Sequence, residues 1–317
     1  FNIHWEDESY TSIDNTDKWD IAPEDLNEGI DLAVKQINKE GGIDGKKIHV
    51  LYEDSKAQPK EGVAAIQKLI TTNNVQYVID NSVSSVALAM VPVAERNKVV
   101  LLSTGSTNPK LTGIRDYFFR IWNADAFEGK FTANFAIDSL NLKTFSTLYV
   151  NNDYGVSLDE VFSDGVEKKG GKIITHEAFM QNATDFRTQL TKIKNNLPDA
   201  IYLIGYSKEI SNILLQIKKL NINCKILGTV TMEDRQVLEI AGNSANGVIY
   251  PFPQEPDSFK PSVSTFQKTY QDTYGKKPGI TCDVGYDAVM LFKFAVELGG
   301  GLKSEQIKNG LNNIQDY

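Results

Sequence analysis

The sequence is short of the residues that build metal centres and disulfide frameworks. Its 317 residues include two cysteines, Cys224 and Cys282, and three histidines, His4, His49 and His176. The cysteines lie far apart and match neither a zinc-binding spacing nor a dense disulfide pattern. The histidines are scattered along the chain, so we expect no histidine-based metal or catalytic site.

Basic charge and long apolar runs are scarce as well. Lysine and arginine number 33 against 41 aspartates and glutamates, for a formal net charge of −8. A nucleic-acid surface needs a clustered basic stripe, which the sequence lacks. Apolar runs such as 99–102 are far shorter than the ~20 residues of a membrane span. The chain opens at Phe1 without a recognisable signal peptide, as would a chain that had lost one, so the compartment stays open.

Segments typical of strands alternate with segments typical of helices. Strands are predicted at 1–5, 47–54, 75–79, 99–103, 145–150, 172–179, 200–205 and 225–228, with a polar stretch at 6–18. Helices are predicted at 23–40, 59–71, 84–96, 158–169, 185–195, 208–220, 258–274, 283–298 and 304–313. This alternation is typical of parallel sheets covered on both faces by helices. Two successive runs of it, in a chain of this length, predict an α/β protein of two similar lobes.

Small hydroxyl residues cluster after two predicted strands of the first lobe. Residues 81–85 read Asn-Ser-Val-Ser-Ser, and residues 103–109 read Ser-Thr-Gly-Ser-Thr-Asn-Pro. In open α/β sheets, ligands bind beyond the carboxyl ends of strands, next to helix N-termini. Hydroxyls and free backbone N–H groups there form a neutral cradle for a carboxylate. Ser84 and Thr107 could instead only cap helices, but two neighbouring clusters favour a site.

Three aromatic residues stand where a ligand could meet them. Tyr154 and Tyr206 each follow a predicted strand of the second lobe, and Trp122 stands where the chain passes between the lobes. Such side chains can wall or stack on a ligand. The alternative is packing, of the loops for the tyrosines and between the lobes for Trp122.

Catalytic and phosphate-binding motifs do not emerge. Residues 105–107 lack the second glycine of a nucleophile elbow. The glycine-rich stretch 41–45 follows a predicted helix, where it indicates a helix stop rather than a phosphate loop. We therefore expect no enzyme, no catalytic residue, no cofactor and no metal.

A series of short motifs resembles one known family along almost the whole chain. The motifs are Ala33-Val34, Ile37-Asn38, Gly41-Gly42-Ile43-Asp44-Gly45, Glu53-Asp54, Thr107-Asn108-Pro109-Lys110-Leu111-Thr112, Phe119-Arg120, Asp125, Gly129, Asp153-Tyr154-Gly155, Ala183-Thr184-Asp185-Phe186, Gly205-Tyr206 and Gly285-Tyr286-Asp287-Ala288. Their order and spacing resemble the type I periplasmic binding proteins. More narrowly, they resemble the branched-chain amino acid (leucine, isoleucine and valine) binding family of ABC importers.

The resemblance implies two Rossmann-like lobes, each a parallel sheet flanked by helices, with a hinge between them. Lobe one would comprise residues 1–122 and 253–317, and lobe two residues 123–252. Relatives continue beyond the position of Tyr317 through a third crossing and final strands, so that part is expected to be missing here. The lobes would close on a small ligand, and the closed form would dock on a membrane permease.

The resemblance also implies the ligand-binding residues. First-lobe hydroxyl and backbone groups would hold the ligand carboxylate, and aromatic residues would wall the ligand. With Ser85 and Trp122, which the residue pattern itself suggests, the expected site residues are Ser84, Ser85, Gly105, Ser106, Thr107, Trp122, Tyr154, Tyr206 and Val230.

Val230 departs from the family pattern. Amino-acid-binding members place an acidic residue just after the strand that ends near Gly228, where it pairs with the ligand ammonium. Valine offers no partner for a buried ammonium, and Glu233 and Asp234 should lie about a helical turn away. We therefore expect a carboxylate ligand without an α-amino group, an aromatic or aliphatic acid. An amino acid ligand, or a ligand-sensing module of a receptor or regulator, is the alternative.

The expected function is thus that of an extracytoplasmic solute-binding protein of an ABC importer. Its partners would be a small-molecule ligand and the membrane permease, with no nucleic acid, and the protein would be a monomer. Its location would be periplasmic or extracellular, with a lipid anchor as one form.

Overall fold

The computed structural model describes residues 10–14, 23–253, 259–279 and 281–315. Its strands are β1 (Tyr10–Asp14), β2 (Val50–Glu53), β3 (Val75–Asp80), β4 (Val100–Ser103), β5 (Phe118–Arg120), β6 (Thr144–Val150), β7 (Lys172–Phe179), β8 (Ala200–Ile204) and β9 (Lys225–Leu227). Its α-helices are α1 (Pro23–Lys39), α2 (Pro59–Asn73), α3 (Ser84–Asn97), α4 (Asp125–Asp138), α5 (Asp153–Lys168), α6 (Arg187–Asn196), α7 (Ser207–Lys219), α8 (Arg235–Ala241), α9 (Pro261–Tyr274), α10 (Cys282–Gly299) and α11 (Ser304–Asn312).

Internal contacts divide the chain into two compact units. Unit one comprises Phe1–Ser106, Lys110–Trp122 and Gln254–Tyr317, and unit two comprises Thr107–Pro109 and Asn123–Pro253. Each unit contains a parallel β-sheet flanked by helices. This is the α/β class that the alternation of strands and helices predicts.

The sheet of unit one has five described strands in the order β2-β1-β3-β4-β5, all parallel. Strands β3 and β4 are almost wholly buried, with a single half-buried residue in β3 and none in β4. That burial is expected of a parallel sheet covered on both faces. The register pairs Asp80 at the end of β3 with Ser103 at the end of β4, so the segments that follow these strands start side by side.

Helices α1 and α10 pack closely in unit one because glycine stands at their contact. A Cβ on Gly29 would lie 1.9 Å from the Cys282 carbonyl oxygen, and a Cβ on Gly285 would lie 2.2 Å from the Leu26 carbonyl oxygen. Next to this contact, the buried rings of Tyr77 and Phe292 lie 4.8 Å apart. Glycine here is required by the close approach of the two backbones.

The sheet of unit two has four described strands in the order β7-β6-β8-β9, all parallel. Its strand β8 is buried at every residue. Helices α4 and α5 pack through small residues, since a Cβ on Gly165 would lie 2.8 Å from the Ala133 Cβ. A Cβ on Gly129 would come within 3.1 Å of Leu158 Cδ1.

Strands β1 and β5 and helices α4 and α8 were not predicted from the sequence. The polar stretch 6–18 contains β1, so that prediction is wrong, while the strand predicted at 1–5 lies outside the described residues. The β1 sequence Tyr-Thr-Ser-Ile-Asp lacks the continuous apolar run that usually marks a central parallel strand. Helix α4 was not predicted because its buried face is made of small and polar residues, while Phe127 and Phe131 are exposed.

Among the described residues, no helix is both long enough and apolar enough to cross a bilayer.

Candidate functional site

The two hydroxyl-rich segments of unit one lie against each other at the carboxyl edge of the sheet. Thr104 Oγ1 donates a hydrogen bond to Asn81 Oδ1 at 2.9 Å. Ser106 Oγ donates to the Ser82 carbonyl oxygen at 2.7 Å, and Ser106 N donates to Ser103 Oγ at 3.1 Å. The first two of these bonds cross-link the segments because β3 and β4 are neighbours, paired in register at their ends.

Ser84 begins α3 but does not occupy its N-cap. Val83 stands at the N-cap position with extended backbone angles, so the helix-capping interpretation of Ser84 is not supported. Ser84 is buried and Ser85 is half-buried. Gly105 lies on the neighbouring segment, where a Cβ would be 3.0 Å from Asn81 Oδ1. The small residue lets this backbone approach the first segment.

Asp80 brings a carboxyl group to the same edge. It is fully buried, and its Oδ1 accepts a hydrogen bond from Ser82 N at 2.9 Å. Burial raises the pKa of the Asp80 carboxyl to about 6, while hydrogen bonds from Ser82 and Ser103 partly oppose that rise. A titrating group therefore lies beneath the hydroxyl-rich segments.

Thr107 belongs to unit two by its contacts, whereas the family resemblance implies lobe one for this residue. The Thr107 carbonyl oxygen accepts a hydrogen bond from Asp125 N at 2.9 Å. The next residue, Asn108, donates from Nδ2 to the Asp153 carbonyl oxygen at 2.6 Å. These two bonds attach the segment to the first turns of α4 and α5. Trp122, the half-buried last residue of its segment, belongs to unit one.

Tyr154 and Tyr206 meet at the carboxyl edge of the unit-two sheet. Their rings stack with centroids 5.7 Å apart and planes 26° apart. Asn152 Nδ2 donates to the Tyr206 hydroxyl at 2.9 Å, and Asn152 Oδ1 accepts from Gly155 N at 3.1 Å. The Asn152 side chain therefore caps α5 and also hydrogen-bonds to the Tyr206 hydroxyl. Helix α5 begins at Asp153, earlier than predicted, so Tyr154 lies in its first turn.

Val230 lies on the same edge, just after β9, and is buried. Its backbone N donates a hydrogen bond to Glu128 Oε1 at 3.0 Å. Burial raises the pKa of the Glu128 carboxyl to about 8; the Val230 N–H opposes that rise, and the charge of Asp125 adds to it. An acidic group thus stands at this position although residue 230 is valine. Glu128 was not predicted as a site residue because it lies in helix α4, which was not predicted from the sequence.

The two acidic residues expected near Val230 are engaged elsewhere. The Tyr250 hydroxyl donates to Glu233 Oε1 at 2.5 Å. The Ser207 hydroxyl donates to Asp234, whose Oδ1 also accepts from Gln236 N at 2.8 Å as the N-cap of α8. Neither carboxylate contacts Val230 in these bonds.

A cluster of two carboxylates and a thiol in unit one is paired with a lysine of the same chain. Side-chain ligand atoms of Asp25, Glu28 and Cys282 lie within 4.8 Å of one another. Lys276 Nζ lies 2.9 Å from Glu28 Oε2 and 3.5 Å from Asp25 Oδ1. The lysine ammonium supplies the positive charge that these carboxylates attract.

Comparison with known proteins identifies the family. Residues 20–317 match the family of periplasmic binding proteins. The chain belongs to this family. A periplasmic binding protein is a solute-binding protein, and the two parallel-sheet units found here are its expected architecture.

This periplasmic binding protein is similar to amino-acid-binding proteins and shares its fold with a protein solved with an aromatic acid. A leucine-, isoleucine-, valine-, threonine- and alanine-binding protein from Pseudomonas aeruginosa is 25% identical over 88% of this chain and 75% of its own length. The solved leucine-binding protein from Thermotoga maritima is 27% identical, with a TM-score of 0.89 over 98% of this chain and 87% of its own. The solute-binding protein of an ABC transporter from Rhodopseudomonas palustris, solved with 3,4-dihydroxybenzoic acid, shares the fold at 22% identity. Its TM-score is 0.80 over 95% of this chain and 83% of its own.

Proposed function

We propose that this chain is the solute-binding subunit of an ABC importer and binds a small carboxylate-bearing ligand. The observation that carries the proposal is the cross-linking of segments 81–85 and 103–106 at the carboxyl edge of one sheet. Hydroxyls and backbone N–H groups gathered there suit a carboxylate. Ser84, Ser85, Gly105 and Ser106 are the proposed contributors of unit one.

Unit two supplies the rest of the proposed site. Thr107 adds a hydroxyl beside the first turn of α4, and the stacked pair Tyr154 and Tyr206 offers an apolar wall. Trp122 is proposed to wall the ligand from unit one. Pockets for small molecules typically combine such apolar walls with a few converging polar groups.

The expectation of a ligand without an amino group rests on Val230 alone. Glu128 weakens that basis, because its carboxylate accepts a hydrogen bond from the Val230 backbone N at 3.0 Å. Relatives support either class, since the Pseudomonas protein is named for amino acids and the Rhodopseudomonas protein was solved with an aromatic acid. The proposal at this level is therefore a carboxylate-bearing solute.

The mechanism we propose is binding without turnover. A ligand that binds one conformation better shifts the population towards it, and a membrane permease would recognise that liganded form. The protein would act as a monomer outside the cytoplasm, periplasmic or extracellular; its family name supports the periplasmic location.

A thermal-shift screen tests the proposal. The probes are amino acids, their deaminated acids, aromatic acids and, as controls without a carboxylate, amides and polyols. A ligand at 100 times its Kd adds about 2.7 kcal/mol of stability, which is visible as a rise in Tm. We expect carboxylates to raise Tm and the matched amides to leave it unchanged. Stabilisation by polyols or amides alone would contradict the proposal.

A further inference from the structure

Glu128 brings a carboxylate to a place on unit two where the local sequence supplies none. It lies in the first turn of α4, and its Oε1 accepts a hydrogen bond from the Val230 backbone N at 3.0 Å. The two residues are 102 positions apart, so only the tertiary fold of unit two brings them together. The carboxylate therefore stands beside the residue that replaces the family's acidic position.

The surroundings of Glu128 are acidic and apolar. Burial, and then the charges of Glu128 and Asp125, raise the pKa of the Tyr154 hydroxyl above its usual value. Burial and the same two charges also raise the pKa of the Tyr202 hydroxyl. No cation of the described residues is among the groups that shift the pKa of Glu128. The Glu128 carboxyl thus lies near Asp125, Tyr154 and Tyr202, with no described cation among the groups that would favour its charged form.

A second polar group at this place lacks a hydrogen-bond partner. The hydroxyl of Tyr202 is fully buried near Glu128 and Thr132, and it makes no hydrogen bond of ordinary geometry within the described part of the chain. Buried polar groups are normally satisfied by protein, water or ligand. Together with the buried carboxyl group of Glu128, this hydroxyl indicates a place that an entering polar group would complete.

We propose that Glu128 is the partner of a cationic amino group on the ligand. The solute class is then an amino acid or another small carboxylate that carries an ammonium. This inference rests on the proposed function, since it concerns the second charged end of the same ligand. Helix α4 would deliver the charge that residue 230 lacks, and Tyr154, next to both, would pack against the ligand between its two ends.

Proton release gives the inference a readout of its own. At pH 7 the free protein holds Glu128 mostly protonated, because burial raises the pKa of its carboxyl to about 8. An ammonium favours the charged form of a neighbouring carboxyl. Binding of an amino acid at pH 7 should therefore release close to one proton, whereas binding of its deaminated acid should release none from Glu128.

The test is isothermal titration calorimetry with two probe pairs, leucine against 4-methylpentanoic acid and phenylalanine against 3-phenylpropanoic acid. Titrations at pH 7 in buffers of different ionisation enthalpy count the protons released. The variant Glu128→Gln keeps an oxygen acceptor for the Val230 N–H but removes the charge. We expect it to lose about 10-fold or more in affinity for the amino acid, to lose the proton release, and to keep its affinity for the deaminated acid.

Two further variants make the outcome decisive. Glu160→Gln removes an exposed carboxylate of α5 in the same unit and should leave every affinity unchanged. The double variant Glu128→Gln with Val230→Glu moves the charge to the position that the family uses and should restore amino acid binding.

Equal affinity of wild type and Glu128→Gln for the amino acid would overturn the inference. So would a wild-type preference for the deaminated acids, which would leave the proposed function standing; binding of none of the four probes would overturn both.

Discussion

Tyr154 and Tyr206 stack at a centroid distance of 5.7 Å, and both side chains are buried. They follow strands β6 and β8, which are neighbours in the sheet but are separated along the chain by α5, β7 and α6. The stack therefore exists because parallel neighbouring strands end at the same edge. It places an aromatic surface beside the segment that follows β9. In that segment the Val230 backbone N donates a hydrogen bond to Glu128.

Removing the Tyr206 hydroxyl should cost stability and leave the stack in place. In Tyr206→Phe, Asn152 Nδ2 loses its acceptor at 2.9 Å, so the free energy of unfolding should fall by about 0.5–1.5 kcal/mol. Tyr206→Ala also removes the stacked ring and should cost about 3–5 kcal/mol. Urea denaturation measures both losses, with Tyr149→Phe as the matched control. A Tyr206→Phe variant as stable as the control would contradict the role of this hydrogen bond.

The hydroxyls of Ser84 and Thr107 are expected to hold the ligand carboxylate. Ser84→Ala and Thr107→Ala should each weaken binding of a solute found in the thermal-shift screen by about 1–3 kcal/mol, because a charged acceptor would lose a donor. Circular dichroism should report an intact fold in both. Thr72→Ala, which removes an exposed hydroxyl of α2, is the control. Unchanged affinity in both site variants would remove these residues from the proposed site.

Asp80 should make the stability of unit one depend on pH. Burial raises the pKa of its carboxyl from 3.8 in the unfolded chain to about 6. The folded protein then binds more protons than the unfolded chain between about pH 4 and pH 6. The contribution of Asp80 to stability is therefore most favourable at the acid end of this window and is lost as the pH rises through it.

The variant Asp80→Asn isolates this effect. Its unfolding free energy relative to wild type should be about 2–3 kcal/mol higher at pH 7 than at pH 4, since one pKa unit corresponds to about 1.4 kcal/mol. Denaturation with urea at pH 4, 5, 6 and 7 measures the difference. Asp54→Asn, which changes an exposed carboxylate, should show no comparable trend. A difference that stays constant across this range would contradict the raised pKa.

Gly285 should tolerate no side chain. A Cβ there would stand 2.2 Å from the Leu26 carbonyl oxygen, so Gly285→Ala must push α1 and α10 apart. Replacing a helical glycine by alanine normally gains about 1 kcal/mol, but this clash should reverse the sign and cost about 3 kcal/mol. Denaturation curves measure the change, and Glu297→Ala on the exposed side of α10 serves as the control. A stabilised Gly285→Ala protein would show that the helices can separate freely.

The sequence alone determined the alternation of strands and helices, because apolar periodicity and glycine or proline boundaries are local properties. Helix α2 and strand β7 were predicted within two residues of their ends for this reason. Hydroxyl residues at the ends of β3 and β4 were also visible, since the carboxyl ends of strands can be located once the strands are. Strand β1 escaped because its sequence, Tyr-Thr-Ser-Ile-Asp, has no continuous apolar run, and helix α4 escaped because its buried face is made of small and polar residues.

Only the tertiary structure decided which groups meet. The sequence at Val230 indicated an apolar position without an acidic partner, yet Glu128 contacts its backbone from a helix about a hundred residues earlier. Glu233 and Asp234, the local candidates, bind Tyr250 and Ser207 instead. The pKa of Glu128 likewise depends on burial by distant segments and on Asp125. The local spacing of apolar residues predicts most helices and strands of this fold. The acidic group at its candidate site is placed there by packing between elements far apart in the chain.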